Sequence, residues 1–215
     1  MAIKYLAGKR IQGLTSDKPK VSIQGWSTSG NMPEGRGIHF MAGGNKDSAI
    51  QTQGSKSGSD RYKNQTYLWN GSAWSTGATN TVSKDYGSGG GSQAGAISVM
   101  GYAGGALQST QKYDGTTWSD GGNTGNAFYN LTSDGNDSDA IETMGTTGGT
   151  TKTANTATYN GSSWSSGTAN PNQGYAGSGH GTSSSFMVGN AHTTGSGTDA
   201  LFDVTTWNGS AWSTG

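Results

Sequence analysis

Cysteine is absent from the 215-residue chain. That excludes disulfide staples, thiolate metal sites and a cysteine nucleophile. Aliphatic residues are scarce too: Leu, Ile, Val and Phe together supply about a tenth of the positions, a share associated with chains that do not fold. Charge is also sparse, with 13 basic residues balanced by 13 acidic ones, so self-repulsion does not hold the chain open. No apolar run approaches the ~18 residues of a membrane-spanning helix, and no membrane insertion is expected. Lys4, Lys9 and Arg10 interrupt the apolar stretch that a signal peptide requires, so export by that route is not expected.

What the chain has instead is 39 Gly, seven Trp and nine Tyr, and they are placed periodically. The segment WNGSAW (69–74) returns as YDGTTW (113–118), YNGSSW (159–164) and WNGSAW (207–212). The closing residues Trp74, Trp118, Trp164 and Trp212 are 44, 46 and 48 apart, and Trp26 lies 48 before Trp74. These five Trp residues are the expected repeat core. A second landmark sits inside each period: DSAIQTQG, AGAISVMG, SDAIETMG and SSSFMVG share an apolar centre and a closing Gly.

Asn-Gly or Asp-Gly between strand-like runs signals a two-residue hairpin turn, because a type I′ turn needs positive φ at both central residues. Asn70-Gly71, Asp114-Gly115, Asn160-Gly161 and Asn208-Gly209 occupy that place, and helical periodicity is lacking. Periods near 46 residues with about four short strands describe a propeller blade. The expected fold is all-β, a propeller of about four blades over 26–215, or the same repeats stacked as an open array, with repeats at 26–73, 74–117, 118–163 and 164–212, preceded by an extended basic arm over 1–25.

VMGYAGG with Tyr113 and Trp118, and TMGTTGG with Tyr159 and Trp164, resemble kelch repeats of the galactose-oxidase-like propellers. The first and fourth periods depart from that pattern, with Trp69 and Trp207 in place of Tyr and AHTTGSG in place of the Gly pair. The copper chemistry of galactose oxidase needs a Tyr–Cys crosslink and does not carry over to a chain without Cys. The degenerate repeats together with the opening KYLAGKRIQG also resemble structural proteins of marine bacteriophage virions. That resemblance implies a non-catalytic structural or adhesive virion component (capsid decoration, or tail- or fibre-associated) present in several copies or as a homo-oligomer. It would contact other virion proteins and a host-surface glycan. An intracellular kelch-type interaction scaffold or a carbohydrate-binding module is the alternative.

Charge is segregated along the chain. Residues 1–112 hold 12 basic and five acidic residues, and residues 113–215 hold one basic and eight acidic, giving +7 and −7. Halves of opposite sign would orient subunits head to tail. Lys4, Tyr5, Lys9 and Arg10 are the expected anchoring residues of the arm. No aromatic interleaving or recognised motif accompanies these charges, so nucleic acid is not an expected partner.

Candidate chemistry is thin. Asp134, Asp137 and Asp139 are hard oxygen donors of the kind calcium prefers, but their spacing is not that of an EF-hand. His39, His180 and His192 share no repeat position, and no pair has close metal-ligand spacing. Asp114 and Gly115 are adjacent, unlike the Asp and Gly of a sialidase box, and Arg10, Arg36 and Arg61 are the whole arginine complement. No catalytic residue and no cofactor is expected. Trp69, Tyr113, Tyr159 and Trp207 alternate with polar neighbours and are read either as inward-facing core or as a sugar-stacking surface.

Overall fold

The computed structural model describes residues 5–6, 9–10, 29–37, 41–56, 61–148, 151–189, 191–193 and 203–215, and the fold is all-β, with no helix among them. Near the N-terminus β1 (Tyr5–Leu6) pairs with β2 (Lys9–Arg10) in an antiparallel hairpin, so this part of the expected extended arm folds back on itself. Lys4 and Trp26 lie outside the described residues.

Four antiparallel sheets follow, each a simple meander. The first contains β3 (Met41–Gly44), β4 (Ala49–Thr52), β5 (Thr66–Trp69) and β6 (Trp74–Thr76). The second contains β7 (Ser88–Ser92), β8 (Gly95–Tyr102), β9 (Ala106–Tyr113) and β10 (Trp118–Phe128). In the third, β11 (Thr132–Gly135) and β12 (Ala140–Thr143) are separated in sequence from β15 (Thr156–Tyr159) and β16 (Trp164–Ser166) by a small hairpin of β13 (Thr146–Gly148) and β14 (Thr151–Lys152). The fourth contains β17 (Ser178–Thr182), β18 (Ser185–Gly189), β19 (Thr205–Trp207) and β20 (Trp212–Thr214).

The sheet limits correct the sequence-based repeat boundaries. A repeat that begins or ends at the Trp cuts the hairpin of the third and fourth strands, whereas the Trp strand closes the sheet to which the preceding aromatic belongs. The strand that opens each sheet, MAGG, SGGGS, TSDG or SGHGT, was not anticipated. It carries little apolar signal because its neighbours are backbones. A Cβ on Gly43 would strike the Gly91 carbonyl of the next opening strand, and one on Gly90 would strike Asp134 of the strand after that. Gly44, Gly91, Gly135 and Gly181 lie at the last or next-to-last position of these strands at φ of 101°, 106°, 123° and 140°, and each lacks room for a Cβ beside the strand that follows.

The turns are also corrected. Trp69 pairs directly with Trp74, so the loop is the four residues 70–73 and not a two-residue type I′ turn. Only Gly71 has positive φ, and the Asn70 side chain closes the loop by accepting from the Ser72 and Ala73 amides. Asp114, Asn160 and Asn208 do the same. The Asx side chain mimics a backbone turn. At Asp114 the donors, the Thr117 amide foremost, hold the carboxyl well below the usual carboxylate range.

The core lies in the seams between successive sheets. Met41 and Ile50 meet Ala96, Tyr113 and Trp118. Ile97 and Val99 meet Ala140, Tyr159 and the half-buried Trp164. Ile141 and Met144 meet Phe186, Val188, Trp207 and the half-buried Trp212. Each buried Ile contributes ~1.5–3 kcal/mol. A polar contact repeats in every seam: Trp118 Nε1 donates to Thr66 Oγ1 at 2.8 Å, Trp164 to Thr110 at 3.0 Å and Trp212 to Thr156 at 3.1 Å. The fourth sheet breaks the series. Met187 and Val204, which occupy the register positions of the buried Ile and of the accepting Thr, are 53% and 39% exposed.

Candidate functional site

A cluster of half-exposed tyrosines occupies the end of the sheets where the second strands finish. It is built on a bridge that recurs in all four sheets, in which a residue at or shortly past the end of the second strand pairs with one a few positions before the first: Gly37 with Ser55, Asp85 with Tyr102, Tyr129 with Thr146, and Tyr175 with His192. Asp85 and Tyr102 exchange both backbone hydrogen bonds, at 3.0 and 2.8 Å, and Tyr129 and Thr146 do so at 2.9 Å each. These bridges project Tyr102 and Tyr129 from neighbouring sheets toward one another, and their ring centroids are 5.2 Å apart with planes at 66°. Tyr62, held at φ 58°, adds a third ring 6.1 Å from Tyr102, and Tyr86, at φ 53°, a fourth 5.8 Å from Tyr129. Backbone strain of this kind costs on the order of 1 kcal/mol and concentrates at binding surfaces.

Arg61 completes the cluster. Its guanidinium carbon lies 5.0 Å from the Tyr62 ring centre and 5.7 Å from that of Tyr102, within cation–π range. Its Nε donates to Asp85 Oδ2 at 3.1 Å, a hydrogen bond that raises the arginine pKa. The Asp85 carboxylate is fully buried while the Arg61 side chain is 45% exposed, so the ion pair anchors a cation at the surface from beneath. Four tyrosine rings and one fixed guanidinium can stack on the flat apolar face of a ligand and donate hydrogen bonds at its edge. Sequence reasoning did not find this group. The bridge position holds Ser55, Tyr102, Thr146 and His192 in turn, so the repeat preserves the backbone geometry and not the side chain.

At the opposite end of the same strands, a cavity of about 830 Å³ is lined by all four opening strands and the turns that follow them. Its walls are mostly glycine and backbone, with Asp134, Asp137 and His180 as charged or titratable side chains. The three calcium candidates do not converge. Asp134 Oδ2 contacts His180 Nδ1 at 2.6 Å and accepts from the Gly181 amide at 3.0 Å, and Asp139 accepts from the Ser183 amide at 2.8 Å. Asp137 lies against Gly95 of the preceding sheet. Among the described residues no three His, Asp or Glu side chains are grouped to hold a metal ion. Asp134 and Asp139 instead join the third sheet to the fourth.

The proposed stacking residues Trp69, Tyr113, Tyr159 and Trp207 are all at most 7% exposed, which removes them as a sugar surface. They lie on the face that packs against other parts of the chain: Gly30 lies over Trp69, and Tyr113, Tyr159 and Trp207 pack in the three seams. Of the repeat-core tryptophans, Trp118 is buried and Trp74, Trp164 and Trp212 are half-buried. Tyr5, Lys9 and Arg10 lie in the terminal hairpin.

Two buried charges were also not anticipated. Lys84 is fully buried, its Nζ has no hydrogen-bond partner among the described residues, and burial pushes its pKa down to about 7. Glu142 is 1% exposed, and burial raises its carboxyl well above the usual range. Glu142 occupies the register position held by Gln51, Ser98 and Val188 in the other sheets, facing the preceding sheet. Among the described residues, no helix is long and apolar enough to cross a membrane. Comparison with protein-family models and with curated proteins finds no match for this chain.

Proposed function

We propose that this chain is a non-catalytic structural or adhesive component of a bacteriophage particle. Its four sheets act as the blades of a kelch-like propeller displayed outward, and its basic N-terminal segment, including the β1–β2 hairpin, anchors it to other virion proteins. The observation that carries the adhesive role is the tyrosine rim. Tyr62, Tyr86, Tyr102 and Tyr129 stay half-exposed, whereas most of the described Ile, Leu, Val and Phe residues are buried. Exposed aromatic groups held by a rigid scaffold are the usual means of recognition. The bridges that place Tyr102 and Tyr129 are backbone hydrogen bonds, so these two rings are held before any ligand arrives.

Deleting residues 1–20 tests the anchor. The truncated protein folds, with unchanged β-sheet circular dichroism, and is lost from purified particles. A truncated protein that incorporates as well as the full chain overturns the anchoring role.

A further inference from the structure

We propose that the tyrosine rim is a saccharide-binding site for a neutral pyranose, held on Tyr102 and Tyr129 and oriented by Arg61. This deepens the adhesive reading above and rests on it. The ring planes of Tyr102 and Tyr129 meet at 66° and those of Tyr62 and Tyr102 at 50°, so the three rings present differently tilted faces and not one flat strip. Tilted faces suit a single sugar ring, whose axial C–H groups present an apolar face to the tyrosines. A flat polymer chain would touch one ring at a time.

Charge selects the sugar class. Arg61 is the cation of the site, and the buried Asp85 carboxylate neutralises it through a 3.1 Å contact. An acidic sugar entering here would meet a guanidinium already neutralised by the Asp85 carboxylate at 3.1 Å, and that carboxylate would repel its own. A neutral sugar meets no such repulsion. Among the described residues only the Nε–H has a partner shown, so the other guanidinium N–H groups are the donors offered to its hydroxyls, with the guanidinium carbon 5.0 and 5.7 Å from the Tyr62 and Tyr102 ring centres.

The test is saturation-transfer NMR of the full-length protein with methyl β-galactoside, methyl β-glucoside, N-acetylglucosamine and sialyllactose as separate probes. At least one neutral glycoside receives saturation at its ring C–H protons, and sialyllactose receives none at its sialic acid. Tyr62→Ala, in a loop, and Tyr102→Ala each weaken binding at least tenfold, with thermal melting recorded for both so that a folding failure in Tyr102→Ala leaves Tyr62→Ala to decide. Arg61→Lys keeps the charge and loses the planar donors, and it also weakens binding. Transfer to none of the neutral probes, or equal binding by Tyr62→Ala and wild type, overturns the site. Preference for sialyllactose overturns the charge argument. Neutral-sugar binding by a protein absent from particles leaves the site standing and sinks the virion reading. Particle-bound protein that adheres to host cells equally well with Tyr62→Ala does the reverse.

Discussion

The indole nitrogen of Trp118 donates to the Thr66 hydroxyl of the preceding sheet at 2.8 Å, and Thr66 in turn donates to Thr52 at 3.1 Å. Thr66 is fully buried, so this chain of bonds crosses the first seam where no water can substitute. The same contact in the next two seams makes it the polar counterpart of the aliphatic packing there.

Removing one partner therefore strands the other. Trp118→Phe keeps most of the ring and leaves the Thr66 hydroxyl without its donor, at a cost of about 1–3 kcal/mol. Thr66→Val also costs stability, and the double variant costs less than the sum of the two singles. Urea unfolding of the four-member cycle measures the coupling; strict additivity shows that the contact contributes nothing.

Ile141 and Met187 hold one register position in the third and fourth sheets, the former fully buried and the latter 53% exposed. Ile141→Ala lowers stability by about 2–5 kcal/mol and Met187→Ala by less than about 0.5 kcal/mol. Comparable losses for both would mean that the outer face of the fourth sheet is covered in solution, and a size-exclusion shift on dilution would identify a second copy as the cover.

Gly91 and Gly105 separate backbone need from composition. A Cβ at Gly91, where φ is 106°, meets the Gly95 carbonyl and the Ala96 backbone, whereas one at Gly105 meets nothing within 4 Å. Gly91→Ala is destabilising by more than about 1 kcal/mol, and Gly105→Ala is neutral or stabilising by up to ~1 kcal/mol through the unfolded chain. Thermal melts of the two variants give the comparison.

Lys84 and Glu142 give stability a pH dependence of defined sign. The folded-state pKa of Lys84, about 7, lies below the unfolded value near 10.4. Between those values the unfolded chain binds the extra proton, so this group's contribution rises with pH from about 7 to 10, by up to ~1.4 kcal/mol per unit. Lys84→Met removes that slope. Glu142 has the opposite effect: its raised folded pKa means that stability falls as pH rises above the unfolded value of about 4.3, and Glu142→Gln flattens that fall. Melting temperatures across pH 4–10 check both; curves for Lys84→Met and wild type that stay parallel from pH 7 to 10 refute the lysine assignment.

Several features were legible in the residues because the chemistry behind them is local. Alternation in AISVMG and Thr-rich runs before an aromatic specify strands, and Asn or Asp before Gly specifies a turn wherever it falls. Even there, the register of Trp69 with Trp74 was needed to show that the loop has four residues and is closed by an Asn side chain. All-β class, fourfold repetition and the last three strands of each sheet follow from such signals alone.

Tertiary structure decided whatever depends on a neighbouring sheet. The glycine-rich opening strands exist because backbones from successive sheets meet at Gly43, Gly90 and Gly91, a constraint no periodicity expresses. Trp69, Tyr113, Tyr159 and Trp207 look like a stacking surface until their neighbours bury them. The tyrosine rim joins Arg61 and Tyr62 to residues as far along the chain as Tyr129, through bridges whose side chains differ in every sheet. Burial of Lys84 and Glu142 is likewise set by the sheets that close over them. Desolvation and close approach are properties of the assembled layers, and the order of residues alone does not encode them.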